Sequence, residues 1–338
     1  MNATKVAQKL RVRIGRFSGD LSKGLCATAQ RFVSEMIYGI QASESVMLTE
    51  IGRTLEEPIP LRKTQWRLSR NLQRPELEDT VQNNLLAMAA GRIGDDTLLI
   101  IDPSDVSKKY AKKMEFLATV HDGSAHDLAL GYWTLHVIGA EVGSSAMTPL
   151  YQRLWSADAP DFVSENEEIL RGIDAVMEHV GCRGLWVMDR GGDRINLFGP
   201  MLDRHARFLF RLVGNRHVVY NGKTQLARDV ALGCPCRHAK SVTRIKDGKE
   251  QTYVLEFGFR RIFLPKRTEP LCLLVVHGLG EEPLMLLTTE PLRSSFKCLW
   301  RMVCAYLKRW GVEETIRYAK TCYDLENVRV LNYQGLQN

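Results

Sequence analysis

Apolar residues recur at helical spacing over 25–37 and again over 81–90, with no strand-like alternation between them. Pro58-Ile59-Pro60 breaks the pattern, so the first ninety or so residues read as several helices. The texture changes at Asp95. Residues 97–101 form a short, wholly apolar run ending in Asp102, the pattern of a strand buried on both faces. Residues 116–120 and 132–138 read as the next two strands, turned at 121–124, and three sequential strands suggest a meander. Over 165–179, Ile169, Ile173 and Val176, followed by Val180, fall on one side of an amphipathic helix. Residues 184–188 are another apolar strand, ending in Asp189; a helix over 195–205 and a strand over 208–213 follow. From Asn215 to Thr289 the pattern is β-like and turn-rich, with candidate strands at 253–257, 261–264, 271–276 and 284–288. Pro291 onward returns to helix, and no internal repeat or low-complexity tract appears.

This order divides the chain into a helical region (1–92), the first part of an α/β core (93–214), a β-rich insertion (215–290) and a closing helix with a short tail (291–338). Two strands end in an aspartate, at the edge of an α/β sheet where sites are built. One such aspartate reads equally well as a loop cap. Two point to a divalent cation, which needs convergent carboxylates.

Composition narrows the class. The chain has 338 residues, 45% hydrophobic and 25% charged, which excludes a disordered, collagen-like or disulfide-dense chain. Its apolar runs, such as 271–276, are strand-length, and the N-terminus has no apolar core of a secretory signal. The expectation is a cytoplasmic protein with reduced cysteines and no membrane partner. Cys234, Cys236 and His238 form one tight cluster but lack the second ligand pair of a zinc site. There is no Walker A loop, so no nucleotide cofactor is expected, and no Gly-x-Ser-x-Gly elbow.

The net charge of +7 is moderate, but it is unevenly placed. Between Leu292 and Lys320 seven cations face only Glu313 and Glu314. Lys108, Lys109, Lys112 and Lys113 form a second cluster, and the segment 63–74 (KTQWRLSRNLQR) is basic around one Trp. Either of the first two clusters alone reads better as a solvated surface, and the 63–74 segment equally well as one; together, beside carboxylates, they suit a polyanion.

The last helix carries the most specific pattern. At about 100° per residue, Tyr306, Arg309, Glu313 and Lys320 fall within a stripe of about 60°, beside the sector of Val312, Ile316 and Ala319. An ordinary i,i+4 ion pair between Arg309 and Glu313 is the plain alternative.

The spacing Y-x2-R-x3-E-x6-K over these four residues resembles the signature of the IS4-type bacterial transposases of the DDE superfamily, and Tyr323–Val330 resembles the continuation. Asp102-Pro-Ser resembles the first aspartate motif of that family, and Leu185-Trp-Val-Met-Asp189-Arg190-Gly191 the second. The resemblance implies an RNase H-like mixed sheet: three strands, a helix, a strand, a helix, a strand and a helix. A β-rich insertion stands before the last catalytic helix, and a helical N-terminal region binds DNA. The 124 residues between Asp189 and Glu313 leave room for that insertion.

The catalytic and metal-binding trio it implies is Asp102, Asp189 and Glu313, holding two Mg2+ or Mn2+ ions. Tyr306, Arg309 and Lys320 would contact DNA near the cut end; Arg190 and the two glycines after it read equally well as the lining of a phosphate path and as a plain turn. Asp105 is the acid most easily mistaken for Asp102, and Asp193 reads as a helix cap. Trp300 and Trp310 are the candidates to hold a displaced base, with Trp310 better suited to the core. Implied partners are double-stranded DNA, as terminal inverted repeats and target, and a second copy of the chain on that DNA, in a bacterial cytoplasm at the nucleoid. Many relatives extend into a helical dimer-contact region, whereas this sequence stops at Asn338. The competing readings are therefore a truncated product that binds DNA ends without cutting them, and a general Mg2+ nuclease of the same fold.

Overall fold

The computed structural model describes residues 3–108, 110–123, 127–246 and 249–338. Lys109 of the lysine cluster and Ser124 of the expected turn lie outside them. Five helices open the chain: α1 (Ala3–Leu21), α2 (Ala27–Ser43), α3 (Leu48–Thr54), α4 (Leu61–Asn71) and α5 (Leu77–Ala90). Phe32, Ile51, Leu68 and Leu77 form their shared core. Gly39 allows α2 and α3 to meet, because a Cβ there would stand 2.4 Å from the Ile51 side chain. Arg67 of α4 pairs with both Glu35 and Glu57.

The body follows as β1 (Leu98–Ser107), β2 (Ala118–Asp122), β3 (Asp127–Ala140), β4 (Met147–Trp155), α6 (Glu165–Val180), β5 (Leu185–Met188), α7 (Ile195–Asp203) and β6 (Phe208–Arg211). Then come β7 (His217–Tyr220), β8 (Lys223–Leu226), α8 (Ala227–Leu232), β9 (His238–Lys246), β10 (Lys249–Ile262), β11 (Leu271–His277), β12 (Leu284–Thr288), α9 (Phe296–Cys322) and α10 (Tyr333–Gln337). The architecture is a mixed α/β sheet flanked by helices. Its ten strands run β2-β3-β1-β5-β6-β12-β11-β10-β9, with β4 also on β3. The central β1, β5 and β6 are parallel, and β3 is antiparallel to β1.

That centre explains the continuous apolar runs. Leu99 and Ile101 face the core under α6 and α7, while Leu98 and Ile100 face α9. A strand covered on both sides has no polar face. Ser164 caps α6 by accepting from the Glu167 amide at 3.2 Å, and three glutamates in the first turn complement the helix dipole.

The structure differs from the sequence reading in several places. β1 does not end at Asp102 but runs on to Ser107, paired with β3 as far as Gly131. Pro103 fits there because β5 pairs only with Leu98–Ile100, so that side of β1 needs no amide from residue 103. His121 and Asp122 belong to β2, not to a turn. β4 was not anticipated: Pro149, Gln152 and Arg153 mask its pattern, which an edge strand tolerates. The segments 253–257 and 261–262 lie in one continuous strand, β10. β12 pairs with β6, so β9–β12 of the β-rich segment lengthen the central sheet, while β7 and β8 form a separate two-stranded sheet. No helix among the described residues is long and apolar enough to cross a membrane.

Candidate active site

The parallel pair β1 and β5 sets the site. Its register matches Ile100 with Val187, and both Asp102 and Asp189 lie two residues further on. Side chains alternate along a strand, so Asp102 follows Leu98 and Ile100, and Asp189 follows Leu185 and Val187, onto the face that packs against α9. Past Ile100 the paired region with β5 has ended while β1 continues along β3, leaving a crevice at the carboxyl end of the parallel strands.

Asp189 caps a single 3-10 turn, Arg190–Gly192, by accepting from the Gly191 amide at 2.8 Å. The turn leaves little room for side chains: a Cβ on Gly191 would stand 3.0 Å from the Asp189 carboxylate, and one on Gly192 would meet Phe210 at 3.0 Å. Arg190 is exposed at the lip of this turn.

The third carboxylate comes from α9, which starts at a Ser295 cap and passes Gly311 without a break. Its contribution is not a bare acid. Arg309 Nη1 donates to Glu313 Oε1 at 2.6 Å and lies 3.7 Å from Asp102 Oδ1. The Arg309 side chain is only 5% exposed, against 40% for Glu313. Its Nε has no hydrogen-bond partner among the described residues.

Tyr306 sits one turn earlier, wholly buried, with its ring 5.7 Å from the guanidinium carbon and its hydroxyl unpartnered among the described residues. The family resemblance implies a DNA contact for Tyr306. The structure buries it and Arg309 on the docking face itself, with Tyr306 in the core shared with Ile100 and Val187.

Lys320, three turns on, donates to the Asp105 backbone carbonyl, and its Nζ lies 3.7 Å from Asp105 Oδ1. Asp105 thus answers Lys320, while Asp102 answers Arg309.

The charges in this crevice are unevenly balanced. Burial pushes the Asp102 carboxyl up to about 7; Arg309 and Lys320 pull it down, and Glu313 and Asp189 push it further up. For Arg309, burial lowers the pKa, but Tyr306, Glu313 and Asp189 outweigh it, and the net direction is upward. His136, the cross-strand partner of Asp102, is lowered to about 4 by burial and by Lys320, so it is neutral at pH 7. Its Nε2 is 3.0 Å from Thr134 Oγ1. Sequence reasoning missed His136; only the β1–β3 register brings it opposite Asp102.

Asp102, Asp189 and Glu313 therefore reach one crevice as separate acids rather than as a preformed cage. Among the described residues no three His, Cys, Asp or Glu side chains stand close enough together to hold a metal ion. In donor chemistry the trio suits a hard dication, since carboxylate oxygens are what Mg2+ and Mn2+ take.

Other expectations resolve differently. Asp193 is not the cap of α7; it pairs with Arg216 and accepts from the Val213 amide at 2.7 Å. Glu314 is exposed, off the stripe as its spacing indicated. Trp300 packs on Phe257 (5.7 Å) and Phe296 (6.3 Å), and Trp310, expected in the core, is half-buried. Lys108 is not a surface cation: its ammonium donates to the carbonyls of Leu325 (2.8 Å), Glu326 (2.9 Å) and Val328 (3.4 Å), holding the chain that follows α9 against the end of β1. On α4, Arg62, Lys63, Trp66 and Arg70 are exposed, with Arg62 4.7 Å above the Trp66 ring.

No family model and no curated protein matches this sequence. Among solved structures, a piggyBac transposase in a synaptic complex with hairpin DNA overlaps 87% of this chain, at 12% identity and a TM-score of 0.49. The overlap spans 59% of that protein's length.

Proposed function

We propose that this chain is an IS4-type DDE transposase, which cleaves and transfers DNA strands at the ends of an insertion sequence by in-line displacement at phosphorus. The observation that carries the reading is the convergence of Asp102, Asp189 and Glu313 on one crevice, from β1, the end of β5 and α9, with the cation Arg309 buried among them. A structural ion pair needs neither the second aspartate nor the two glycines that shape its turn.

In the proposed reaction a P–O bond forms to water, or later to a DNA 3′-hydroxyl, as the bond to the leaving 3′-oxygen breaks. Asp102, Asp189 and Glu313 would hold two Mg2+ or Mn2+ ions, which supply activation of the attacking oxygen and charge relief at the leaving one. Arg309 offers a phosphate a two-point grip, Lys320 a point charge and the exposed Arg190 a third cation at the lip. Tyr306, with no surface of its own, backs Arg309. The exposed cations of α4 around Trp66 suit the DNA duplex of the terminal repeats, in the helical region assigned to DNA binding. The active species is a homodimer holding two ends.

The test is Mg2+-dependent cleavage of a labelled duplex carrying the repeat that flanks the gene. Wild type is compared with Asp189→Asn and Glu313→Gln. Cleavage at the repeat end, lost in both variants, is the expected result. Salt-sensitive binding with no cleavage by wild type refutes the enzyme and leaves a DNA-end-binding protein. That second reading has its own observation, the absence of a ready-made three-acid cage among the described residues.

A further inference from the structure

Arg309 stands where the acids of the crevice would otherwise face one another. A guanidinium 2.6 Å from Glu313 Oε1 and 3.7 Å from Asp102 Oδ1, 95% shielded from solvent, offsets part of the negative charge of these two carboxylates. A divalent ion needs the same oxygen atoms at about 2.0–2.1 Å for Mg2+. Arg309 already takes one lone pair of Glu313 Oε1, and a dication brought onto the same carboxylates would be repelled by the guanidinium in a poorly solvated crevice. The guanidinium also holds an unspent donor: its Nε makes no hydrogen bond among the described residues. A phosphodiester offers, through its two non-bridging oxygens, a two-point partner that these carboxylates, at one short and one long distance, do not. The way out runs along α9 past Glu313, the most exposed of the groups that touch Arg309.

We infer that Arg309 is a placeholder cation that bars divalent ions from the acidic crevice until a DNA phosphate draws it away, so that DNA and metal bind in a coupled order. The inference rests on the metal-dependent reading above and adds regulation to it. By linkage, whatever factor DNA adds to metal affinity, metal adds to DNA affinity.

The test reads metal binding rather than turnover. Free Mn2+ is measured by electron paramagnetic resonance in titrations of the full chain, with and without a short blunt-ended duplex of arbitrary sequence at low salt, after subtracting Mn2+ bound by the duplex alone. For wild type, the duplex is expected to tighten the Asp102-dependent Mn2+ site by about tenfold or more, a coupling within the usual range. Arg309→Gln is expected to bind Mn2+ that tightly without DNA and to gain little from it. If Arg309→Gln does not fold, as judged by thermal denaturation, Arg309→Lys serves instead. Its compact, strongly hydrated ammonium lacks the planar fork of Arg309, and a smaller change in the same direction is expected.

An Asp102-dependent site of equal affinity in wild type and variant, with or without DNA, overturns the placeholder while leaving the metal-dependent reading intact. Mn2+ binding that Asp102→Asn leaves unchanged in every case overturns both.

Discussion

Glu78 of α5 joins the helical region to the sheet, and its charge can be tested cleanly. Its side chain is 16% exposed and lies 3.5 Å from Arg153 Nη1 on β4. That guanidinium is shared, with Nε 3.2 Å from Glu168 and Nη2 3.7 Å from Asp161. Burial pushes the Glu78 carboxyl from 4.5 up to about 7; Arg153 pulls it down, while Asp79 and Glu168 add to the rise. An acid with a higher pKa folded than unfolded binds more protons when folded between those two values. Its contribution to stability is therefore full below pH 4.5 and lost as pH rises through 7. At about 1.4 kcal/mol per tenfold change in proton affinity, that rise corresponds to about 3 kcal/mol.

Glu78→Gln keeps the shape and removes the titration. The variant is expected to match wild type near pH 4.5 and to exceed it by up to about 3 kcal/mol at pH 8. Thermal denaturation of both proteins across that range, at fixed ionic strength, should show a gap in Tm opening to on the order of 5 °C. A gap that does not change with pH, or a variant less stable than wild type at pH 8, refutes the reasoning. The latter would mean that Arg153 more than offsets the burial of this charge.

Burial lowers Lys108 from 10.5 to about 8, so between those values the unfolded chain holds a proton the folded one lacks. Wild-type stability relative to Lys108→Met is expected to rise by about 3 kcal/mol from pH 8 to 10.5, read by denaturation at each pH. Asp193→Ala strands the Arg216 guanidinium beside a carboxylate site that is 2% exposed. It should cost about 3–5 kcal/mol in a urea melt, more than Asp193→Asn, which can still accept from the Val213 amide. On α4, replacing both Lys63 and Arg70 by Ala should reduce the slope of log K against log salt for duplex binding by about 2. Arg67→Ala, which breaks pairs with Glu35 and Glu57, should lower Tm instead.

Much of the candidate site's geometry was legible in the chain because its signals are local. The apolar runs before Asp102 and Asp189 announce buried strands, and both aspartates lie on the α9 face at equal distance from a paired residue. The spacing of Arg309, Glu313 and Lys320 places them on one side of a helix. What local pattern could not show is which side of that line meets protein. Tyr306 and Arg309 had the spacing of a margin but lie under the sheet. Asp105, a decoy by spacing, turns out to hold Lys320.

The sequence by itself determined the alternation of helix and strand, the two aspartate-ended runs and the polar stripe of the last helix, because periodicity and burial act over a few residues. Only the tertiary structure decided three things. β4 is a strand because β3 offers it an edge, despite Pro149. β12 joins β6, so strands far apart in sequence extend one sheet. Arg309 lies between Asp102 and Glu313, residues more than two hundred positions apart. Each depends on pairing or charge balance between distant segments. No window along the chain contains both partners of such an interaction.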